Sequence, residues 1–373
     1  MSPRFALAVA LASLTTGCKT RLLELLPVED LAVVPVDMAP PADLAAPDLA
    51  PRIVDPLDIL FVVVNEPYTR ALRERVAAAG PQLFPSLIAG SRDWHVGLVT
   101  ADLGGNGVAW PQQGCTTSGD RGVLLPRSEP ACAALRGRYM AGGAAGNNFV
   151  GDPGTVFSTC VARGTAPEGC MFQQPWNAAF LALDSITTVE NAGFLRKGGR
   201  LLVVFIVDGD DCSVPPGSDL FDVNRPYGGP DSRLSDRCMA HGNVCAQGQP
   251  LGDGVWTGCR PIAASNGLLY GADDFKAGVA RLRNLKDDVE LAYLAGPSTT
   301  RLQVQNGYFT DQCFEGDMGY SPLDLGIPGP QEVAIPSPRI NAVVDSLGGY
   351  GNAGVCAPDY SGFFQRIGQI AVH

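Results

Sequence analysis

The sequence predicts an α/β fold, doubly wound around a mostly parallel sheet, and three observations lead there. Residues 59–64 and 201–207 are unbroken apolar runs rich in β-branched residues, the pattern of strands buried on both faces. Between such runs lie segments whose apolar residues recur at helical spacing. Only 17% of the residues are charged against 46% hydrophobic, so this 373-residue chain can bury a large core. Strands alternating with helices imply helices on both faces of the sheet.

The elements follow in order. The first strand is Ile59 to Val64, bounded by Asp58 and Asn65. Leu72, Val76, Ala79 and Leu83 then trace a helix face that Pro81 must end or kink. Residues 94–100, WHVGLVT, form a second strand, followed by glycine-rich irregular sequence to about residue 158. Pro175 suits the first turn of a helix that carries Trp176, Phe180 and Leu183 on one face. Leu201 to Val207 is the strongest buried strand. Asp273 and Asp274 open a helix whose inner stripe is Phe275, Val279 and Leu282, with Arg283 and Lys286 near its C-terminal end, as the helix dipole favours. Val289 to Ala295 is a further strand. Ser337-Pro338 starts a helix with stripe Ile340, Val344 and Leu347 and a stop at Gly348, and Phe363, Ile367 and Ile370 mark the last helix. Two long loops, about 209–270 and 297–335, follow strand ends, where open α/β sheets place their ligand crevice.

Ahead of this body, residues 5–14 (FALAVALASL) form an apolar stretch behind Arg4, too short for a permanent membrane span and fitting a secretory leader. Leu14-Thr15-Thr16-Gly17-Cys18 resembles the lipobox of bacterial lipoproteins, although Thr15 stands where Leu is usual. The resemblance implies that residues 1–17 are a removable signal peptide and that Cys18 carries diacylglycerol and an N-acyl chain such as palmitate. Several acyl chains anchor stably where one is marginal. By resemblance to lipoprotein sorting in Gram-negative bacteria, Lys19 after the cysteine, in place of Asp, favours the outer membrane. Residues 18–56 read as a tether: seven prolines interrupt any helix from 27 to 56, and Asp-Leu-Ala recurs at 30–32, 43–45 and 48–50. Residues 57–373 are then a single domain with loop insertions.

Composition narrows the function. The formal charge of −11 and the lack of a Lys/Arg run argue against nucleic acid as a partner. Three histidines (His95, His241, His373) leave few candidates for a Ser-His-Asp triad or a histidine-rich metal site. No G-x-S-x-G elbow occurs, and Gly104-Gly105-Asn106-Gly107 lacks the Lys-Ser/Thr of a phosphate loop.

The first strand and its loop, DILFVVVNEPYT (58–69), resemble the opening of a von Willebrand factor type A domain, which in bacterial lipoproteins often reads DILFVVDNSGSM. Similarity continues in DWHVGLVTADLG (93–104), GCMFQQPWNAAFLAL (169–183), LLVVFIVDGDDCS (201–213) and ELAYLAGP (290–297), in the family's order. The resemblance implies a ligand site built around a metal ion held by an Asp and two Ser of the first loop, a Thr of a second loop, and an Asp after the central strand. Here Val64 replaces the Asp, Glu66 and Tyr68 replace the serines, and Pro67 replaces the Gly between them; Thr165 is a poor candidate for the Thr. Only Asp208 matches. Valine cannot ligate a hard cation, which needs oxygen donors. The expectation is therefore no cofactor, with Glu66, Asp208, Asp210 and Asp211 as the residual candidates for a rebuilt divalent-cation site.

Ten cysteines remain after Cys18: Cys115, Cys132, Cys160, Cys170, Cys212, Cys238, Cys245, Cys259, Cys313 and Cys356. In an exported chain an even number fits five disulfides. No C-x-x-C pair suggests zinc. Local pairing would join Cys160 to Cys170 and Cys238 to Cys245, while the family resemblance implies Cys313 with Cys356. The expected function is a lipid-anchored, non-enzymatic cell-envelope module, held to the membrane by its lipid and binding a protein or glycan through loops at the strand ends. The alternatives are a metal-dependent adhesin with a rearranged site, and a hydrolase using Asp208, Asp210 and Asp211.

Overall fold

Six strands form the central sheet of the computed structural model, which describes residues 55–373 apart from short stretches, the longest being 108–114, 127–131, 163–168, 228–235 and 315–332. The strands are β1 (Leu57–Val63), β2 (Trp94–Thr100), β3 (Met140–Gly142), β4 (Arg200–Ile206), β5 (Asp288–Leu294) and β6 (Tyr350–Asn352). Their order is β3-β2-β1-β4-β5-β6, all parallel except β3, which runs antiparallel at the edge. This is a mixed α/β fold with a mostly parallel sheet, and its order reverses between β1 and β4, the switch point of doubly wound folds. Residues Ile53–His373 form one compact unit.

β1 is central, and every one of its residues is buried. That explains its lack of polar alternation: both faces are covered. The helices are α1 (Arg70–Ala79), α2 (Phe84–Ala89), α3 (Pro153–Val156), α4 (Pro175–Leu183), α5 (Asp236–Gly242), α6 (Ala272–Arg283), α7 (Pro338–Ser346) and α8 (Ser361–Val372), and all but α5, which packs in the long loop after β4, contribute to the core around the sheet. Pro81 does break the first helical stretch. A 3-10 turn at Gly80–Leu83 separates α1 from α2. On one face Phe61 packs against Phe157 and Phe364, with ring centroids 5.8 and 5.4 Å away. On the other, Phe205 meets Phe275, which stacks on Trp176 at 4.6 Å. Burying each such ring stabilises the fold by about 2–3 kcal/mol over leaving it exposed.

The amino edge of the sheet is closed by a buried charge cluster. Asp58, within β1, accepts from Arg196 Nε at 2.8 Å, from the Arg196 backbone N–H at 2.9 Å and from Lys286 Nζ at 2.9 Å. His95 Nδ1 lies 2.8 Å from the Phe194 carbonyl oxygen, and its ring is 4.6 Å from that of Tyr139. Burial holds its pKa below the usual value, so His95 is a packed histidine.

The disulfides correct both local pairings. Cys115 joins Cys170, Cys212 joins Cys238, and Cys245 joins Cys259. Chain separation misled because Cys115, 55 residues away, is brought to Cys170 by the loop after β2. Cys160, expected in a bridge, is a buried thiol in the core, 3.8 Å from Thr159 Oγ1, and the buried Cys132 Sγ lies 3.9 Å from the Thr159 carbonyl oxygen. Cys356 is disulfide-bonded. The side chain of its expected partner Cys313 lies outside the described residues, as do Cys18, the leader and the tether through residue 54.

Candidate functional site

The carboxyl ends of β1, β2 and β4 are crossed by residues 169–174, just before α4. The Gly169 N–H donates to the Asn65 carbonyl at 2.7 Å, and the Gln174 N–H to that of Ala101 at 2.7 Å. Gln173 Oε1 accepts from the Asn65 N–H, and its own carbonyl accepts from the Cys212 N–H at 2.9 Å. Arg73, nearly buried, reaches back from α1 to the Asn65 carbonyl at 3.0 Å. The first-strand loop is therefore pinned from three sides. A β-carbon on Gly169 would stand 2.6 Å from Asn65 Oδ1 and 2.7 Å from Asp102 Oδ2, so glycine alone lets this segment lie against the two side chains.

Val64, at the position where a ligating Asp was sought, is buried at 1% exposure, and its N–H donates to the Ile206 carbonyl. Carrying the β1–β4 register two residues past the Val63–Ile206 pair sets Asp208 beside Asn65. Asp208 is half-buried, and its carbonyl accepts from the Ile335 N–H. Glu66 is half-buried, and its carbonyl accepts from the Thr69 backbone and hydroxyl. Tyr68 and Thr165 lie outside the described residues. An apolar side chain at the first ligand position does not fit a hard cation. Among the described residues no group of three His, Cys, Asp or Glu side chains is gathered to hold a metal.

Asp210 and Asp211 are the acidic pair that the sequence offers as site carboxylates. Both are buried, and both serve the fold. Asp211 accepts from the Trp176 N–H (3.2 Å), the Ser213 N–H (3.0 Å), the Ser213 hydroxyl (2.7 Å) and Arg339 NH2 (3.1 Å). Asp210 accepts from the Arg339 backbone N–H at 2.9 Å and from Asn243 Nδ2 at 2.9 Å. Arg339 also donates to the carbonyls of Gly242 and Tyr270, and its guanidinium sits 4.8 Å from the Trp176 ring centroid. One arginine thus ties the loop after β4, the starts of α4 and α7, α5 and the approach to α6. A cation in the first turn of α7 opposes the helix dipole, and the Asp210 carboxylate answers it from outside the helix. Burial raises the Asp210 pKa to about 7, against the opposing pull of Arg339 and Asn243. Sequence reasoning missed Arg339; an arginine just after the Ser337-Pro338 helix start was the available signal.

Among the described residues a cleft of about 590 Å3 lies between α4 and α6. Asn106 and Val214, from the loops after β2 and β4, line it together with Asn177, Phe180, Tyr270 and Phe275. Its lining also carries the charged residues Asp184, Asp274 and Arg281. Cys212–Cys238 and the Arg339 cluster fix the loop after β4. Cys245–Cys259 braces a small antiparallel pairing of residues 243–244 with 260–261, and 254–256 pair with 302–304. None of the cleft residues was singled out from the sequence as a site.

No family model matches the chain, and no curated protein matches it. Among solved structures, it is similar to the pilus adhesin SpaC from Lactobacillus rhamnosus GG in its open conformation, at 9% identity and a TM-score of 0.34. The match covers 86% of this chain and 30% of that one, so the chain spans less than a third of the adhesin's length.

Proposed function

We propose that this chain is a lipid-anchored module of the bacterial cell envelope, of the von Willebrand factor type A kind, with no enzymatic activity. It binds a protein or glycan at the carboxyl edge of its sheet without the family's metal ion. One observation carries the reading. Asp210 and Asp211, the carboxylates a hydrolase or rebuilt cation site would need, spend their oxygens on Arg339, Asn243, Ser213 and Trp176. A cleft beside crosslinked loops lies open among the described residues, and concave, largely preformed sites of this kind bind ligands.

Anchoring is tested by labelling with radioactive palmitate in a Gram-negative host. Label and membrane retention should both vanish in Cys18→Ala; a protein equally membrane-bound and unlabelled in both forms would refute the anchor. Calorimetry with Mg2+ tests the metal-free site. Micromolar binding lost in Asp208→Ala would replace this reading by a cation-dependent adhesin.

A further inference from the structure

The cleft between α4 and α6 has a chemistry that narrows its ligand. This step rests on the reading of the carboxyl edge as a recognition surface, and it names the ligand class. The amides of its wall are already oriented. Asn177 Nδ2 donates to the Val214 carbonyl at 3.1 Å and to Gln174 Oε1 at 3.1 Å, and Asn106 Nδ2 donates to the Ser218 carbonyl at 2.8 Å. With both amino groups committed to acceptors, both amide oxygens are left as fixed acceptors. Among the described residues nothing donates to either oxygen, and neither the Tyr270 hydroxyl nor the Arg281 guanidinium has a protein partner. The cleft thus offers acceptors and donors together, beside the half-buried Phe180 ring.

The charged residues lining the cleft, Asp184, Asp274 and Arg281, sum to one negative charge, which disfavours an anion. A ligand that both donates and accepts, carries no charge and presents an apolar face is a sugar ring, with hydroxyls on its rim and C–H groups on its face. The volume of about 590 Å3 lies in the small-molecule range of roughly 300–1,000 Å3 and leaves room for one or two rings. The wall is rigid. Trp176, beside Asn177, is held between Arg339 and Phe275, and the Asn177 N–H donates to Ser213 Oγ at 3.0 Å. Rigid placement of hydrogen-bonding groups saves the ordering cost of binding.

We infer that this cleft binds a neutral glycan of one or two sugar rings, with Asn106, Asn177 and Tyr270 addressing its hydroxyls and Phe180 lying against its face. The test is saturation-transfer NMR on the full chain with four probes: maltose, cellobiose, lactose and N,N′-diacetylchitobiose, each at millimolar concentration. At least one should receive saturation. Its affinity should fall about tenfold in Tyr270→Phe, the loss of one hydrogen bond of the stronger kind. It should vanish in Ala277→Trp, which fills the cleft from an exposed helix position outside the Arg339 cluster. Silence with all four sugars overturns the inference, as does a signal unchanged in both variants. Neither result bears on palmitate labelling at Cys18 or on Mg2+ calorimetry, so failure here is distinguishable from failure of the reading it rests on.

Discussion

Raising the pH from 5 to 8 should destabilise this protein through Asp210, and replacing that residue by asparagine should remove the effect. Burial raises the Asp210 pKa from 3.8 to about 7 in the folded state. Below 3.8 the carboxyl is protonated in both states and costs nothing. Between the two values the folded protein holds its proton and the unfolded chain does not, so stability falls as pH rises, levelling off above about 7. Three units correspond to about 4 kcal/mol in all, of which about 2–3 kcal/mol falls between pH 5 and pH 8. His95 acts in the opposite sense: burial lowers its pKa, so its contribution to stability grows as pH rises toward 6.5. Comparing wild type with Asp210→Asn cancels that background. The variant loses one acceptor, facing either the Arg339 N–H or Asn243 Nδ2, at about 1 kcal/mol independent of pH. The assay is urea unfolding of both proteins at unit pH steps. Parallel stability curves, offset but equally sloped, would refute the reasoning, because they would mean that Asp210 does not titrate differently on folding.

Two further perturbations probe the same edge. Arg339→Met strands the Asp211 charge with only Ser213 and the Trp176 N–H, and should cost about 3–5 kcal/mol in urea unfolding. Adding Asp211→Asn should recover part of that loss, and a single variant within 1 kcal/mol of wild type would show the pair to be dispensable. At Gly278 on α6, an added β-carbon would stand 2.2 Å from Phe180 Cζ. The ring is the movable party, and alanine is worth about 1 kcal/mol more than glycine within a helix. Gly278→Ala should therefore leave stability nearly unchanged while displacing Phe180 from its place 5.4 Å from Phe275. Altered near-ultraviolet circular dichroism with a weakened sugar signal is the expected pair of readouts; unchanged spectra would mean that the ring does not move.

The strands that make the sheet were legible because burial on both faces leaves a one-dimensional mark: 59–64 and 201–207 contain no polar residue to be read otherwise. The helices at 272–283 and 338–346 announced themselves through Asp273, Asp274 and Pro338. The edge strands β3 and β6 did not, since three residues each, with glycine in both, are too short to carry a period.

The site was less legible. Asp210 and Asp211 stand out in the sequence as an acidic pair at the end of the central strand. Nothing local says that an arginine 128 residues later will take one of them. The same holds for Cys115 and Cys170, whose bridge follows from chain crossing rather than spacing.

Local order is written in neighbouring residues, because strand burial, helix faces and capping act over a few positions. Which carboxylates remain available, which thiols meet and where a cleft stays unfilled depend on elements dozens to hundreds of residues apart. Only the packed fold, by placing Arg339, Trp176 and the α4–α6 pair together, decides them.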